Sequence, residues 1–218
     1  MKVLVVDVGG THVKLLATGR RVPVKVDSGP DLTPRLMVQR VRGATAGWRY
    51  EAVTLGYPGP VVRGRRIGDP HNLGPGWLRF DFARAFGCPV RIVNDAAMQA
   101  LGSYDGGRML FLGLGTGLGS ALVDDGVLLP LELAHLPYRE GRTFEDYLGV
   151  RGLERLGRAK WQRHVVLVSE LLRGALLADH VVLGGGNVKK MQRLPPHARR
   201  GDNINAFRGG FRVWAPTR

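Results

Sequence analysis

Cysteine is almost absent from the 218-residue chain: Cys88 stands alone. That excludes an internal disulfide and any zinc site built from a cluster of cysteines. Lysine is scarce as well. Lys2, Lys14, Lys25, Lys160, Lys189 and Lys190 are the whole set, and none is followed by serine or threonine, so the lysine-containing phosphate loop of P-loop nucleotidases is excluded. No apolar run is long enough to cross a membrane, because the longest, 165 to 183, is broken by Glu170, Arg173 and Asp179. At the amino terminus Lys2-Val3-Leu4-Val5-Val6 meets Asp7 at once, too short and too soon charged to read as a secretory signal. These absences lead to the expectation of a cytoplasmic protein without a membrane partner.

What is present is globular. A composition 44% hydrophobic and 23% charged excludes disorder, collagen and coiled coil. At about 150 residues per domain the length allows one domain or two. The 32 basic side chains outnumber the 18 acidic ones, for a net charge of +14. Such a surface attracts polyanions, although an arginine-rich solvated surface accounts for the excess equally well.

The most informative feature is an internal repeat. Val3-Leu4-Val5-Val6-Asp7-Val8-Gly9-Gly10-Thr11 runs on to Lys14-Leu15-Leu16-Ala17, and Met109-Leu110-Phe111-Leu112-Gly113-Leu114-Gly115-Thr116-Gly117 runs on to Ala121-Leu122-Val123. Each copy reads as an apolar strand, a short glycine turn and a second apolar strand, which is a hairpin. Further strands are expected at 52–56, 90–93 and 181–183, and helices at 81–86, 96–101, 143–149, 153–163 and 165–178. Segments 58–76 and 195–205 read as loops. Strands alternating with helices give an α/β protein. The glycine-rich gap at 103–108 sets the expected domain boundary, with one domain over 1–105 and the other over 106–218, the last helix of the chain packing back on the first.

Three glycine-rich turns follow strands: Gly9-Gly10-Thr11, Gly113 to Gly119 (with Gly115-Thr116-Gly117 at its centre) and Gly184-Gly185-Gly186. Glycine lets backbone N–H groups approach an anion closely, and a threonine hydroxyl adds a donor. One such turn is weak evidence; three, two of them in the repeat, point to phosphate. The spacing of the second does not fit the dinucleotide fingerprint, which requires glycine where Leu118 stands. Asp7 ends the first strand, whereas its counterpart Gly113 has no side chain. That asymmetry suits a polyphosphate held with magnesium on Asp7 through water, and backbone alone at the second turn. Lys14, on the returning strand, is assigned equally to phosphate and to solvent.

Asp7-Val8-Gly9-Gly10-Thr11 resembles the first phosphate motif of sugar kinases of the actin, Hsp70 and hexokinase superfamily. Residues 112–120 resemble the second phosphate motif, and 182–186 the adenosine motif. Val93-Asn94-Asp95-Ala96-Ala97 resembles the sugar-binding and catalytic segment of the ROK family (repressors, open reading frames and kinases), particularly its bacterial glucokinases. The resemblance runs in order from about Val3 to Trp214. It implies a two-lobed, ribonuclease H-like or actin-like ATPase fold, with duplicated α/β domains around a cleft. It also implies phosphoryl transfer from ATP, with polyphosphate as a further donor, to the 6-hydroxyl of glucose or a related hexose. Carried over by position, Asp95 is the general base; Asn72, Asn94, Glu132, His135 and Glu145 bind sugar. Asp7, Gly9, Gly10, Thr11, Lys14, Gly115, Thr116, Gly117, Gly184, Gly185 and Gly186 bind the donor, with Mg2+ at Asp7, and the assembly is a homodimer.

Departures from the family pattern are also visible. The cysteine-rich zinc motif is missing, so His135 is expected to have no metal role. Ala134 stands for the usual glycine and Ala97 for the usual second asparagine. A nucleic-acid-binding regulator is disfavoured, because the first phosphate motif begins at Val3. The runner-up is a non-catalytic, sugar-sensing relative, against which both Asp7 and Asp95 are intact.

Overall fold

The computed structural model describes residues 1–70 and 72–215. The chain divides into two compact units, Met1–Met98 with the segment from Ala206 onward, and Gln99–Asn205. The sequence reading places the division some residues later, at 103–108, and the structure sets it inside a helix.

In the first unit the chain forms β1 (Val3–Val8), β2 (His12–Ala17), β3 (Val24–Asp27), α1 (Pro34–Ala44), β4 (Ala52–Tyr57), β5 (Val61–Val62), β6 (Arg65–Arg66), α2 (Phe82–Phe86) and β7 (Val90–Asn94). Next, α3 (Asp95–Ser103) carries it across the division. The main sheet has the order β3-β2-β1-β4-β7, with β1–β2 and β2–β3 antiparallel and β1–β4 and β4–β7 parallel. Every residue of β1 and β4 is buried, as expected of central strands covered on both faces. Leu4, Val6 and Val8 pack with Leu15, Met37, Val41, Trp77, Phe82 and Phe86 on one face. The alternate residues Val3, Val5 and Asp7 lie on the other.

Local chemistry sets the helix ends. Thr33 caps α1 by accepting from the Leu36 N–H at 3.3 Å, with Pro34 in the first turn. Asp81 caps α2 from the Arg84 N–H at 3.0 Å, and Gly87 closes it at φ 73°.

The second unit continues with β8 (Arg108–Leu114), β9 (Leu118–Asp124), β10 (Val127–Leu131), β11 (Pro137–Arg139), β12 (Arg142–Thr143), α4 (Phe144–Leu148), α5 (Val150–Ala175), β13 (His180–Gly184) and β14 (Ala198–Arg200); α6 (Asn205–Arg212) follows. Its sheet order is β10-β9-β8-β13-β14, with β8–β9 and β9–β10 antiparallel and β8–β13 and β13–β14 parallel. Strand for strand, this is the arrangement of the first sheet. Leu110, Leu112, Leu114, Val181 and Leu183 pack against Phe144, Leu148, Trp161, Val165 and Leu172 of α4 and α5.

Several elements depart from the expectations. The helices expected at 153–163 and 165–178 are one element, α5, whose kink falls at Gly157 (φ 72°, ψ 161°) rather than between them. Gly157 can adopt a left-handed φ that other residues resist. Within the expected loop 58–76 a short hairpin forms from β5 and β6. In the expected loop 195–205 lies β14, which finds a parallel partner in β13. The last helix, α6, lies with the first unit: the Thr54 hydroxyl donates to the Gly210 carbonyl at 2.6 Å, and Trp214 Nε1 donates to Thr54 Oγ1 at 2.9 Å. A Cβ on Gly210 would collide with Val5, so glycine is required there.

Candidate functional site

Three parallel strands of the first unit bring their C-terminal ends to one edge, where ligands of open α/β sheets bind. Asp7 lies near the end of β1 opposite Gly56 of β4, and Tyr57 of β4 is opposite Asn94 of β7. With strands about 4.8 Å apart, Asp7 and the β7 end that carries Asp95 are separated by about 10 Å along this edge. Asp7 is buried, 6% exposed, and its Oδ2 lies 3.4 Å from Lys14 Nζ, its cross-strand partner. Burial raises the Asp7 pKa above the ordinary carboxylate value, and Lys14 opposes the shift. Among the described residues nothing donates to Asp7 Oδ1. A buried carboxylate with one partly exposed lysine and a spare oxygen suits a hydrated Mg2+.

At the end of β7 two side chains divide the start of α3. Asn94 Oδ1 accepts from the Ala97 N–H at 3.1 Å and its amide donates to the Gly59 carbonyl at 3.0 Å. Asp95 Oδ1 accepts from the Ala96 N–H at 2.8 Å. Asn94 is therefore the cap and holds the loop after β4, while Asp95 stands in the first turn of α3. Asn72 is exposed and lies beside the first turn, its Cβ 4.0 Å from where a Cβ on Gly10 would stand.

The first turn is closed by the Gly9 N–H donating to the His12 carbonyl at 3.1 Å. The N–H groups of Gly10 and Thr11 find no acceptor among the described residues. In the second unit, Gly115 N–H is shared between the Gly113 and Gly117 carbonyls, both at 3.2 Å. There the N–H groups of Thr116 and Gly117 are the ones without an acceptor. Two hairpin tips thus each present consecutive N–H groups, the backbone pattern that receives an anion.

The third turn belongs with the second. Asn187 Nδ2 donates to the Gly115 carbonyl at 3.0 Å. A Cβ on Gly185, whose φ is 82°, would collide with the Leu114 backbone, and one on Gly184 with the Phe111 ring. Sequence reading found the glycines but not Asn187, whose signal is only its place directly after them.

Glu132, His135 and Glu145 come together in the second unit. Glu145 N–H donates to the Ala134 carbonyl at 3.0 Å. Partial burial raises the Glu132 pKa above the ordinary value; His135 opposes this and Glu145 adds to it. Glu145 also reaches the second turn, accepting from the Leu118 N–H at 3.1 Å and pairing with Arg151 at 3.3 Å. A Cβ on Gly117 would collide with Glu145 Oε2. The sequence reading, which gave Glu145 to the sugar alone, missed this link and missed Arg151. Among the described residues no three metal-ligating side chains cluster.

A twice-repeated sheet of this order, with glycine hairpins opening on buried and half-buried carboxylates, defines the actin-like ATPase fold in the form that sugar kinases use. No family model matches the chain. It is 26% identical over 213 residues to the polyphosphate glucokinase of Mycobacterium tuberculosis strain H37Rv, covering 88% of this chain and 80% of that one. The inorganic polyphosphate/ATP-glucomannokinase of Arthrobacter sp. strain KM superposes with a TM-score of 0.81 at 24% identity over 96% of both chains. The ROK hexokinase of Thermus thermophilus does so with a TM-score of 0.67 at 25% identity, again over 96% of both. Over most of its length the chain is thus similar to ROK-family sugar kinases, in line with its motifs.

Proposed function

We propose that the protein is a sugar kinase that transfers a phosphoryl group from ATP, with polyphosphate as a second donor, to the 6-hydroxyl of glucose or a closely related hexose. The observation that carries the reading is the pair of equivalent hairpin tips, each with two acceptor-free N–H groups, of which only the first stands beside a buried carboxylate. Names borne by relatives, polyphosphate glucokinase and ROK hexokinase, support the same reading.

In this scheme Asp95 accepts the proton of the sugar hydroxyl as its oxygen forms the new bond to phosphorus. The bond from phosphorus to the bridging oxygen of the donor breaks, and the remaining phosphate chain leaves with the electron pair. General-base assistance is worth on the order of 10² to 10⁴ in rate. Asp7 would hold hydrated Mg2+, which neutralises developing charge when bound; the turns at Gly10-Thr11 and Thr116-Gly117 supply fixed N–H dipoles. Glu132, His135, Glu145, Asn72 and Asn94 are acceptors and amides of the kind that pair with sugar hydroxyls.

Asp95→Asn tests the scheme in a coupled assay run with ATP and with polyphosphate. The expected result is a fall of at least about 100-fold in kcat with the sugar KM changed little. Unchanged turnover removes the mechanism. Absence of turnover by the unaltered protein with glucose, mannose, fructose or glucosamine and either donor favours the sugar sensor. A cytoplasmic homodimer completes the proposal. The leucines Leu167 and Leu171, about half exposed and one turn apart on α5, offer an apolar stripe for a second copy. Light scattering should give twice the monomer mass of 23.8 kDa, and a monomer mass at micromolar concentration rejects the dimer.

A further inference from the structure

At the edge where β1, β4 and β7 begin, away from the glycine turn that follows β1, lies a cavity of about 600 Å³. Its wall includes Lys2, Arg42, Trp48, Arg49 and Cys88. Three features make it more than a surface dent. First, its cations are unspent: the Lys2 ammonium and the Arg42 and Arg49 guanidinium groups make no ion pair or hydrogen bond among the described residues. Second, the one carboxylate on the wall, Glu51, is engaged by the Lys2 backbone N–H at 2.9 Å, so its charge is partly satisfied from within. Third, the half-buried Trp48 packs against the core of the first unit with the Arg20 guanidinium 4.0 Å from its ring centre, and it lines the cavity as an aromatic wall beside the charges.

We propose that this cavity binds a small phosphorylated organic molecule, its phosphate on Arg42, Arg49 and Lys2 and its ring on the aromatic wall. Inorganic phosphate alone is too small for the space, since a water takes about 30 Å³ and pockets for small organic ligands run from about 300 to 1,000 Å³. Arginine suits the headgroup because its planar fork meets phosphate oxygens in pairs. The ring is either a nucleobase or a sugar, since both present a flat or C–H-rich face to an aromatic side chain. None of these residues belongs to the glycine turns or the carboxylates of the proposed kinase site.

Cys88 makes the proposal directly testable, because it is the sole cysteine of the chain and lines this cavity. The rate of its alkylation by iodoacetamide reports occupancy without any assay of catalysis. Glucose 6-phosphate and AMP are the two probes; glucose, adenosine and sulfate at matched ionic strength are the controls. At least one probe should slow labelling about fivefold or more in a saturable way while the controls leave it unchanged, and which probe does so identifies the ring. In Arg42→Ala/Arg49→Glu protein, compared with its own ligand-free rate, the protection should vanish while sugar phosphorylation continues. Both arginines are exposed, so the variant should keep its circular dichroism and Tm. Protection by neither probe, protection equalled by sulfate, or protection that persists in the double variant overturns the proposal.

Discussion

Where β1 crosses its two neighbours, Asp7 faces Lys14 on one side and Gly56 on the other; at the same crossing of the second sheet, Gly113 faces Gly119 and Gly184. The backbones agree in strand order and direction, and the side chains do not. One copy carries an ion pair whose carboxylate is buried, with the desolvation cost of that carboxylate. The other carries three glycines, which leave the backbone open to a close approach. A duplicated frame thus presents bare N–H groups at both turns, with a buried charge beside only the first.

The largest expected effect comes from removing the charge. Asp7→Asn should lower sugar-kinase turnover by about 100-fold, the scale on which single charge-stabilising groups act, and weaken the dependence on Mg2+. Its effect on stability should run the other way. Because the folded Asp7 has a raised pKa, the native state binds more protons than the unfolded state in the window between the two values. Stability therefore falls as pH rises through that window and is lower above it. An amide has no such cost, so at pH 7 the variant should melt no lower than the parent, and by up to about 4 °C higher for a gain near 1 kcal/mol. A lower Tm at pH 7 than at pH 4, relative to the parent, contradicts the assignment of Asp7 as an electrostatically costly, functional residue.

Much of this frame was legible because apolar β-forming runs bounded by glycine are strong signals: β1, β2, β8, β9 and β13 all stand where the pattern puts them. What escaped depended on partners. The run Pro34–Ala44 carries three arginines among its apolar positions, and only the burial of Met37, Val38 and Val41 against the sheet reveals the helix. A last helix packing back on the first domain is expected without bounds, because in α6 Gly209-Gly210 argues against a helix by propensity, while Val5 leaves room for nothing larger at 210. At the candidate site the residue types could be read and their bonds could not. Glu145 is chemically suited to a sugar, but that it also grips the Leu118 N–H follows only from α4 lying beside the second turn.

That grip sharpens the comparison at the next level of effect. Gly117→Ala places a methyl on the Glu145 carboxylate, whereas Gly10→Ala in the first turn makes only an ordinary contact with Asn72. Displacing Glu145 forfeits a hydrogen bond to a charged group, worth about 1.5 kcal/mol or more. Gly117→Ala should therefore lower kcat/KM about tenfold, for donor and sugar alike, with Gly10→Ala costing less than about threefold. Steady-state kinetics with both substrates varied separates the cases. Equal losses in the two variants would mean that the turns depend on glycine for phosphate alone, without the carboxylate tie.

The smallest effect concerns the helix starts. Thr143 and Asp146 form a reciprocal capping box on α4: Asp146 accepts from the Thr143 N–H at 3.0 Å, and Thr143 Oγ1 accepts from the Asp146 N–H at 3.3 Å. Thr33 caps α1 through one bond, and no acidic residue follows in that first turn. Both Thr→Ala changes should cost about 1 kcal/mol, or about 2–4 °C in Tm for a chain of this size, but only the Thr143 loss should depend on pH. The hydrogen bonds from Thr143, backbone first, hold the Asp146 pKa below the ordinary value. A depressed carboxylate stabilises the fold above its unfolded pKa, and that contribution disappears as pH falls through the folded value. The gap in Tm between parent and Thr143→Ala should accordingly narrow below about pH 4, while the gap for Thr33→Ala stays constant. Parallel behaviour of the two variants across that range would show that the Asp146 carboxylate adds nothing to the second unit beyond what a lone threonine supplies to the first.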